Sequence, residues 1–549
     1  VPVPTEARPQ TSTPAREQLA AKEIWKLSFW VGRLDYRPVA AFRMAFGFFL
    51  FYDLCDLLFD LRAWFSDEGV LPRSAFLGQW ARTARFSLLD SFGNVTLAHI
   101  YWLITAVAVL CMAIGYRSRL ASIASFVLMA GFQERLPPLF DGSDTVIRML
   151  LFWHMVVPSN RVWSVDAILA ERRGTPLDRL GPAFGVRLMQ LQIAFIYLIT
   201  ACCKIPGHTW QQGDALHYVL HLNHVFSRSW ALSVADNPFL MAVGTYYTLV
   251  LEFSFLPLVF FPIPKLNKWT RALAMSMAIA MHIGIAFTVN VGLFSYLMPI
   301  TMMMFCEPEW SQWLVDKVGA LLGKERLTKL QELAAKFPVP RGFEPPLASY
   351  FSETTLARAR SLGTATVLVA FVSCTWYAIP KYLQPDIGRV SPTQRSAVET
   401  SVQALDVWSS WDMFSPEPLR TDYHLTAPVE YENGTRGNLF GGAPDGPGEV
   451  RGMWYTRWIK YFENVAGGGE VLPLEWGRYM CREHNFYLKP GESRVYTFTL
   501  FKDDQIIPPI GQPWPPVTRN TVWNHRCFDK PNPAANTGAS TPRVATVPK

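Results

Sequence analysis

Lysine, glutamate and histidine set inside long apolar runs are the residues through which this sequence could do chemistry. Lys204 closes the run Tyr197-Leu-Ile-Thr-Ala-Cys-Cys-Lys204, and Ile-Pro-Gly-His-Thr-Trp210-Gln-Gln-Gly213 follows it. A lysine there has two fates. It can reach the interface while its stem stays buried, the commoner outcome and the one the local pattern favours. Or an apolar cavity can hold it, where loss of water favours the neutral amine, a usable base. Glu252 and His282 also interrupt apolar runs, and Arg43, Asp53, Asp56 and Asp60 interrupt the first one. Charge at such depth is costly unless paired or wetted, so each of these is a site candidate. Asp53, Asp56 and Asp60 are three and four apart and share one helical face. With Glu252 they read first as a structural polar network that joins helices through Arg43 or Arg148, with catalysis the lesser alternative.

His217, His221 and His224 fall at i, i+4 and i+7. A histidine pair one turn apart can ligate a metal. No HExxH is present, and Asp214 is the one carboxylate nearby. The cluster therefore reads first as an interfacial helix whose imidazoles face water or headgroups, and only second as a metal site. The eight cysteines form no CxxC pair. Cys481 and Cys527 lie in polar sequence, either as a disulfide in an oxidising compartment or as two buried thiols.

Apolar runs must position these groups. Of 549 residues 50% are hydrophobic and only 17% charged, against about 25% charged in a soluble globular chain. Mean hydropathy is +0.12. A spanning helix needs about 20 mostly apolar residues. Nine runs qualify: Val39–Phe59, Leu97–Gly115, Leu120–Gln133, Val146–Trp163, Val186–Cys203, Phe239–Phe261, Ala272–Val289, Gly292–Phe305 and Thr364–Ile379, the third and eighth being short. With the N-terminus inside, every inside loop is basic: Arg117 and Arg119, then Arg172, Arg173 and Arg179, then Lys265, Lys268 and Arg271, then Lys317, Lys324, Lys329 and Lys336. That is the positive-inside pattern. The net charge of +7 thus records orientation, and nucleic acid is excluded as a partner because no basic face is gathered for it. No nucleotide-binding glycine motif is present either.

The expected fold is an all-α polytopic membrane bundle with a small β-rich C-terminal extracytoplasmic domain. Residues 1–32 form a disordered or amphipathic cytoplasmic N-terminus, 33–309 the bundle, 310–360 a cytoplasmic segment with an amphipathic helix over Leu314–Phe337, and 361–380 the last span. Residues 381–528 form the β-rich domain and 529–549 a disordered tail. Alternation over His424–Tyr431 and Arg494–Phe501 predicts strands, and Asn433-Gly434 predicts a hairpin between Val429–Glu432 and Thr435–Phe440.

Several local motifs resemble the HTTM family, the membrane domain shared by vitamin K-dependent γ-glutamyl carboxylase and many bacterial proteins. They are Asp67-Glu-Gly-Val-Leu-Pro-Arg73, Asp141-Gly-Ser-Asp144, Trp163-Ser-Val-Asp166, Tyr197…Lys204-Ile…Trp210…Gly213 and Val291-Gly-Leu-Phe-Ser-Tyr-Leu-Met298. The segment Trp408…Trp411-Asp-Met-Phe-Ser-Pro416 is similar to one in the bacterial members. The resemblance covers about Arg33 to Phe305. It implies a catalytic set of Lys204 as base with His282 and Asp144, Asp144 standing where the carboxylase has a histidine. It also implies binding of vitamin K hydroquinone or another quinol beside Trp210, Tyr197 and Arg148, and a glutamyl peptide substrate. The carboxylase's propeptide-gripping region has no recognisable counterpart. The alternative is a non-catalytic membrane scaffold, transport or partner-binding protein that meets an extracytoplasmic protein partner through its C-terminal domain. Both alternatives place the chain in the lipid bilayer, in a bacterial inner membrane.

Overall fold

The computed structural model describes residues 21–80, 87–223, 226–338, 353–378, 411, 413–443, 456–467, 469–488 and 490–529. His224, Trp408 and most of both predicted disordered ends lie outside the described residues.

Helices dominate residues 37–305. They are α1 (Arg37–Leu58), α2 (Val95–Ile114), α3 (Ser118–Arg135), α4 (Gly142–Val156), α5 (Ala183–Lys204), α6 (Pro238–Val259), α7 (Pro264–Thr288) and α8 (Phe294–Thr301). A later helix, α9 (Glu353–Ala378), packs on α5. Local signals set their ends. Pro38 and Pro238 enter the first turns of α1 and α6, where a missing N–H costs nothing. The Asn94 carboxamide accepts from the Thr96 and Leu97 N–H groups to start α2, and Gly115 at φ 70° ends it.

Five of these helices, α1, α2, α5, α6 and α7, are long and apolar enough to cross a membrane. The other four expected spans differ from the sequence reading. The third run becomes the 18-residue α3, which carries both Arg119 and Arg135. The fourth run ends early, because α4 stops at Val156 and a loop carries Pro158 to Trp163. The eighth is α8 continued by a short 3-10 turn, and in α9 the apolar part is Ser361–Ser373. The outward faces are apolar: α2 exposes Leu97, Ile100, Leu103, Ile104 and Val107, and α7 exposes Leu273, Ile283 and Phe287. Contiguous apolar surface of this kind on helices is what lipid covers.

The connections gather on two opposite faces. On one, strands β1 (Arg33–Asp35) and β2 (Leu180–Pro182) pair antiparallel. There too the Asp166 carboxylate accepts from the Arg117 and Ser118 N–H groups, and Arg271 pairs with Glu307. The predicted helix over Leu314–Phe337 lies here as two helices, Pro308–Leu322 and Lys324–Ala335, broken at Gly323 with φ 82°. It packs on the bundle, where the Tyr116 hydroxyl donates to the Pro338 carbonyl.

The opposite face carries the C-terminal domain. Strand β6 (Val495–Ile506) is its axis. Strands β3 (Thr421–Thr426) and β4 (Pro428–Tyr431) pair along one side of β6, and β7 (Thr518–Arg526) along the other. Strand β5 (Arg436–Asn438) closes the hairpin on β4 around Gly434 at φ 83°. The expected β-sheet domain is present, and two helices that the sequence reading did not include, α10 (Thr456–Ala466) and α11 (Val471–Phe486), stand between β5 and β6. Trp458, Tyr461, Phe462 and Val465 recur at helical spacing and are all buried, which is why α10 forms and docks. Cys481 of α11 and Cys527 after β7 form a disulfide with Cα atoms 5.4 Å apart.

Candidate functional site

Tyr197, Thr200 and Lys204 are three and four apart, so α5 presents them as one stripe. That stripe lines a cavity of about 530 Å³, with Glu252 of α6, His282 of α7 and Phe294 and Met298 of α8 on the other walls. This volume suits a small-molecule site, roughly 300–1,000 Å³. Lys204 does not snorkel. Its Nζ donates to Glu252 Oε1 at 2.5 Å, and both side chains are about 5% exposed. The same ammonium lies 4.8 Å from the centre of the Trp210 ring, a cation–π contact. Glu252 is therefore the direct partner of Lys204 and not a member of the acidic network on α1, as the sequence reading had it.

A second pair faces the first. The Tyr197 hydroxyl and His282 Nε2 are 3.0 Å apart. Phe255 stacks on Tyr197 at 4.3 Å between ring centres, and Phe294 meets the His282 ring edge-on. Glu252 Oε2 and His282 Nδ1 are buried with no hydrogen-bond partner among the described residues. A quinol offers an apolar ring and two hydroxyls. Apolar walls with an orphaned carboxylate oxygen and an orphaned imidazole nitrogen fit those groups.

The C-terminal region covers the cavity. Trp411, Met413 and Phe414 line it, so the Trp-Met-Phe-Pro segment is part of the site's wall. Trp210 is fixed by donating Nε1–H to the Phe414 carbonyl at 3.0 Å. Glu417 accepts from the Thr209 hydroxyl at 2.6 Å and from the His208 N–H. Burial pushes the Glu417 carboxyl up, but these donors outweigh it and hold it below the ordinary carboxylate range. Gly207 makes the approach possible, since a Cβ there would sit 1.9 Å from the Pro416 carbonyl oxygen. Gly207→Ala is expected to cost about 1–3 kcal/mol through overpacking and to loosen this cover, read as a lower melting temperature and a changed Trp210 fluorescence.

Two residues expected at the site lie elsewhere. Asp144 closes the capping box of α4 by accepting the Asp141 N–H, and its carboxylate turns to Arg457 of α10 at 3.3 Å. Its neighbours Asp141, Gly142 and Ser143 reach the cavity in its place. Arg148, one turn along, faces Glu134 at 3.7 Å and does not line the cavity.

The acidic face of α1 has a partner that sequence reasoning missed. Arg457 Nη2 donates to Asp53 Oδ1 at 2.5 Å while the guanidinium also meets Asp144. Trp458 Nε1 donates to Asp60, which lies in the turn past the end of α1 and not on its face as expected, and half-buried Asp56 adds its field. Burial alone would lower Arg457, but Asp144 and Asp53 outweigh it and raise its proton affinity. Arg43 is not that partner. It lies ten residues before Asp53, about 15 Å along the helix at 1.5 Å per residue, and donates instead to the Ala113, Ser159 and Trp163 carbonyls. An unpaired acidic stripe in an apolar helix was the signal that a distant cation had to exist.

The histidines also differ from expectation. His217 and His221 sit on the short helix Ala215–His221 and are buried, not turned to water. Burial pushes His221 below the ordinary imidazole value.

Comparison with known proteins agrees with the bundle's extent. A family model described as "HTTM domain" matches residues 33–310, just over half of the chain. The "Uncharacterized protein YitO" of Bacillus subtilis (strain 168) is 21% identical over 215 residues, which cover 38% of this chain and 66% of that protein. The chain thus spans just under two thirds of that relative's length. No solved structure matches. With five helices able to cross a bilayer and the family model over more than half of its length, the chain is an integral membrane protein that belongs to the HTTM domain family.

Proposed function

We propose that this protein is a membrane enzyme of quinol-linked carboxylation or epoxidation chemistry, resembling vitamin K-dependent γ-glutamyl carboxylase, with Lys204 as base. The observation that carries the reading is the convergence of two buried polar pairs, Lys204–Glu252 and Tyr197–His282, on one apolar cavity. A quinol, when bound, supplies the oxidisable hydroxyl and, with oxygen, the strong base that a glutamyl γ-carbon needs. The protein's own residues hold and move the first proton. At 2.5 Å a proton can pass from Lys204 Nζ to Glu252 Oε1. The pair is then uncharged, which an apolar site favours over separated charges. The neutral amine accepts a proton from a hydroxyl placed beside it. Tyr197 and His282 orient that hydroxyl, Trp210 bounds it, and the cover of Trp411, Met413 and Phe414 excludes water. Asp144 and Arg148 have no part in the step.

The same proposal gives nine crossings, with the N-terminus cytoplasmic and the C-terminal domain extracytoplasmic in a bacterial inner membrane. Loops that alternate along the chain alternate between the two faces of the structure, and the basic ones share one face. The Cys481–Cys527 disulfide suits an oxidising compartment on the other. A glutamyl peptide or an extracytoplasmic protein partner would then reach the cavity from the covered side.

The test is an assay of protein in lipid nanodiscs with reduced vitamin K, bicarbonate and glutamyl peptides. Epoxide and γ-carboxyglutamate are expected, with the rate about 10²–10⁴-fold lower for Lys204→Ala. If neither product rises above that variant, the enzyme reading is lost and the scaffold or partner-binding alternative stands.

A further inference from the structure

The junction between the loop after α5 and the C-terminal domain holds a second constellation, independent of the cavity. His217 Nε2 lies 2.9 Å from the Pro508 carbonyl oxygen, and His221 Nδ1 lies 2.8 Å from the His217 carbonyl oxygen. A carbonyl only accepts, so His221 Nδ1 is the N–H donor of its ring; His217 faces a carbonyl at each nitrogen, a neutral ring can donate to only one of them, and donation to Pro508 is the choice that frees Nδ1 to ligate. That choice leaves lone pairs on His217 Nδ1 and His221 Nε2. Both point at one atom, Asp236 Oδ1, at 3.5 Å each. The Ala235 carbonyl oxygen also lies 3.0 Å from His217 Nδ1. In that tautomer electron-rich atoms face one another, and a positive charge among them, a metal ion or a second proton on His217, balances them.

The spacing says what fits. Ligands about 2.0–2.2 Å from a tetrahedral zinc ion lie roughly 3.4 Å from each other. The two contacts to Asp236 match this, and all three ligand atoms lie within 4.8 Å of one another. A metal-binding imidazole typically donates its other N–H to a carbonyl or carboxylate, which fixes the tautomer, and both rings have a carbonyl placed for that. The histidines are buried while Asp236 is 68% exposed, and Asp236 and His217 line a cleft with Pro508 and Trp514. An ion has a path in and an open position there.

We infer that His217, His221 and Asp236 form a binding site for a divalent transition metal of the zinc class, two imidazole nitrogens and one carboxylate oxygen at the seam between bundle and C-terminal domain. This donor set selects against magnesium and calcium, which prefer all-oxygen sites. The site ties the seam together, because the ring that binds metal through Nδ1 holds the C-terminal domain through Nε2.

The experiment uses tag-free full-length protein in detergent, stripped with chelator, dialysed, and titrated with zinc or cobalt alone. One metal per chain is expected by elemental analysis, with the intense visible absorption of tetrahedral cobalt. Asp236→Asn, at an exposed position, should weaken affinity by about tenfold or more, since even residues behind a ligand carry that much. His221→Gln with Asp236→Asn should abolish the cobalt band while gel filtration stays unchanged. No metal retained by the wild-type chain would overturn the proposal, with a proton on His217 filling the same place. An undiminished cobalt band in the double variant would overturn it equally.

Discussion

Arg457→Ala is expected to destabilise the protein by about 3–5 kcal/mol, the cost of leaving a buried ion pair half-made. Two carboxylates, Asp53 and Asp144, would remain buried with no cation between them. The effect should appear as a lower denaturation midpoint in detergent and as faster protease release of the C-terminal domain, since Arg457 sits on the helix that docks there. Charge, not shape, is the cause, so a compensated variant must behave differently. Arg457→Met with Asp53→Asn and Asp144→Asn leaves no charge buried and should recover most of the loss. An Arg457→Ala protein as stable as wild type would show that this triad does not hold the two parts together.

Lys204→Met is the second large effect. It strands Glu252, whose side chain is 6% exposed and whose Oε2 has no partner among the described residues. A loss of about 3–5 kcal/mol is expected for breaking such a pair from one side. Lys204→Met with Glu252→Gln should restore the midpoint, because a neutral amide is tolerated where a lone carboxylate is not. The double variant also separates the two roles of the pair. If Lys204 is the base, the stable double variant remains inactive in the quinol assay. Activity recovered together with stability would mean that the pair serves folding alone.

These two pairs differ in how much of them was legible beforehand. Lys204, Glu252 and His282 could be singled out because each is a polar residue where burial makes polarity costly, and Tyr197 through the motif that resembles the HTTM family. The run lengths of α1, α2, α5, α6 and α7 were legible too, since a helix that meets lipid must be long and apolar whatever its neighbours. The hairpin at Asn433-Gly434 followed from turn chemistry, which is local. Helices α10 and α11 were not recognised, although Trp458, Tyr461, Phe462 and Val465 keep a helical period. Frequent glycine and proline around them weighed more heavily than that short pattern.

Asp144 shows where resemblance by position fails. Motif alignment placed it among the catalytic residues, yet its carboxylate both caps α4 and faces Arg457, 313 residues away. Nothing within Asp141-Gly-Ser-Asp144 reveals which of those demands it meets. His217 and His221 tell the same story. Their spacing gave a helix face, but the third group facing them is Asp236, and one of the two carbonyls that His217 faces belongs to Pro508, 291 residues on.

The sequence by itself determined that this is a membrane bundle, which residues are too polar for their surroundings, and that the family is HTTM. The first two depend on transfer from water and on local periodicity, the third on resemblance of short motifs, and a linear chain records all three. Only the tertiary structure decided the partners: Glu252 for Lys204, His282 for Tyr197, Arg457 for Asp53 and Asp144. A buried charge fixes that a counter-charge must exist but not where along the chain it lies, and the separation here runs from 48 to 404 residues. Packing brings the partners together, and the cost of leaving either alone holds them there.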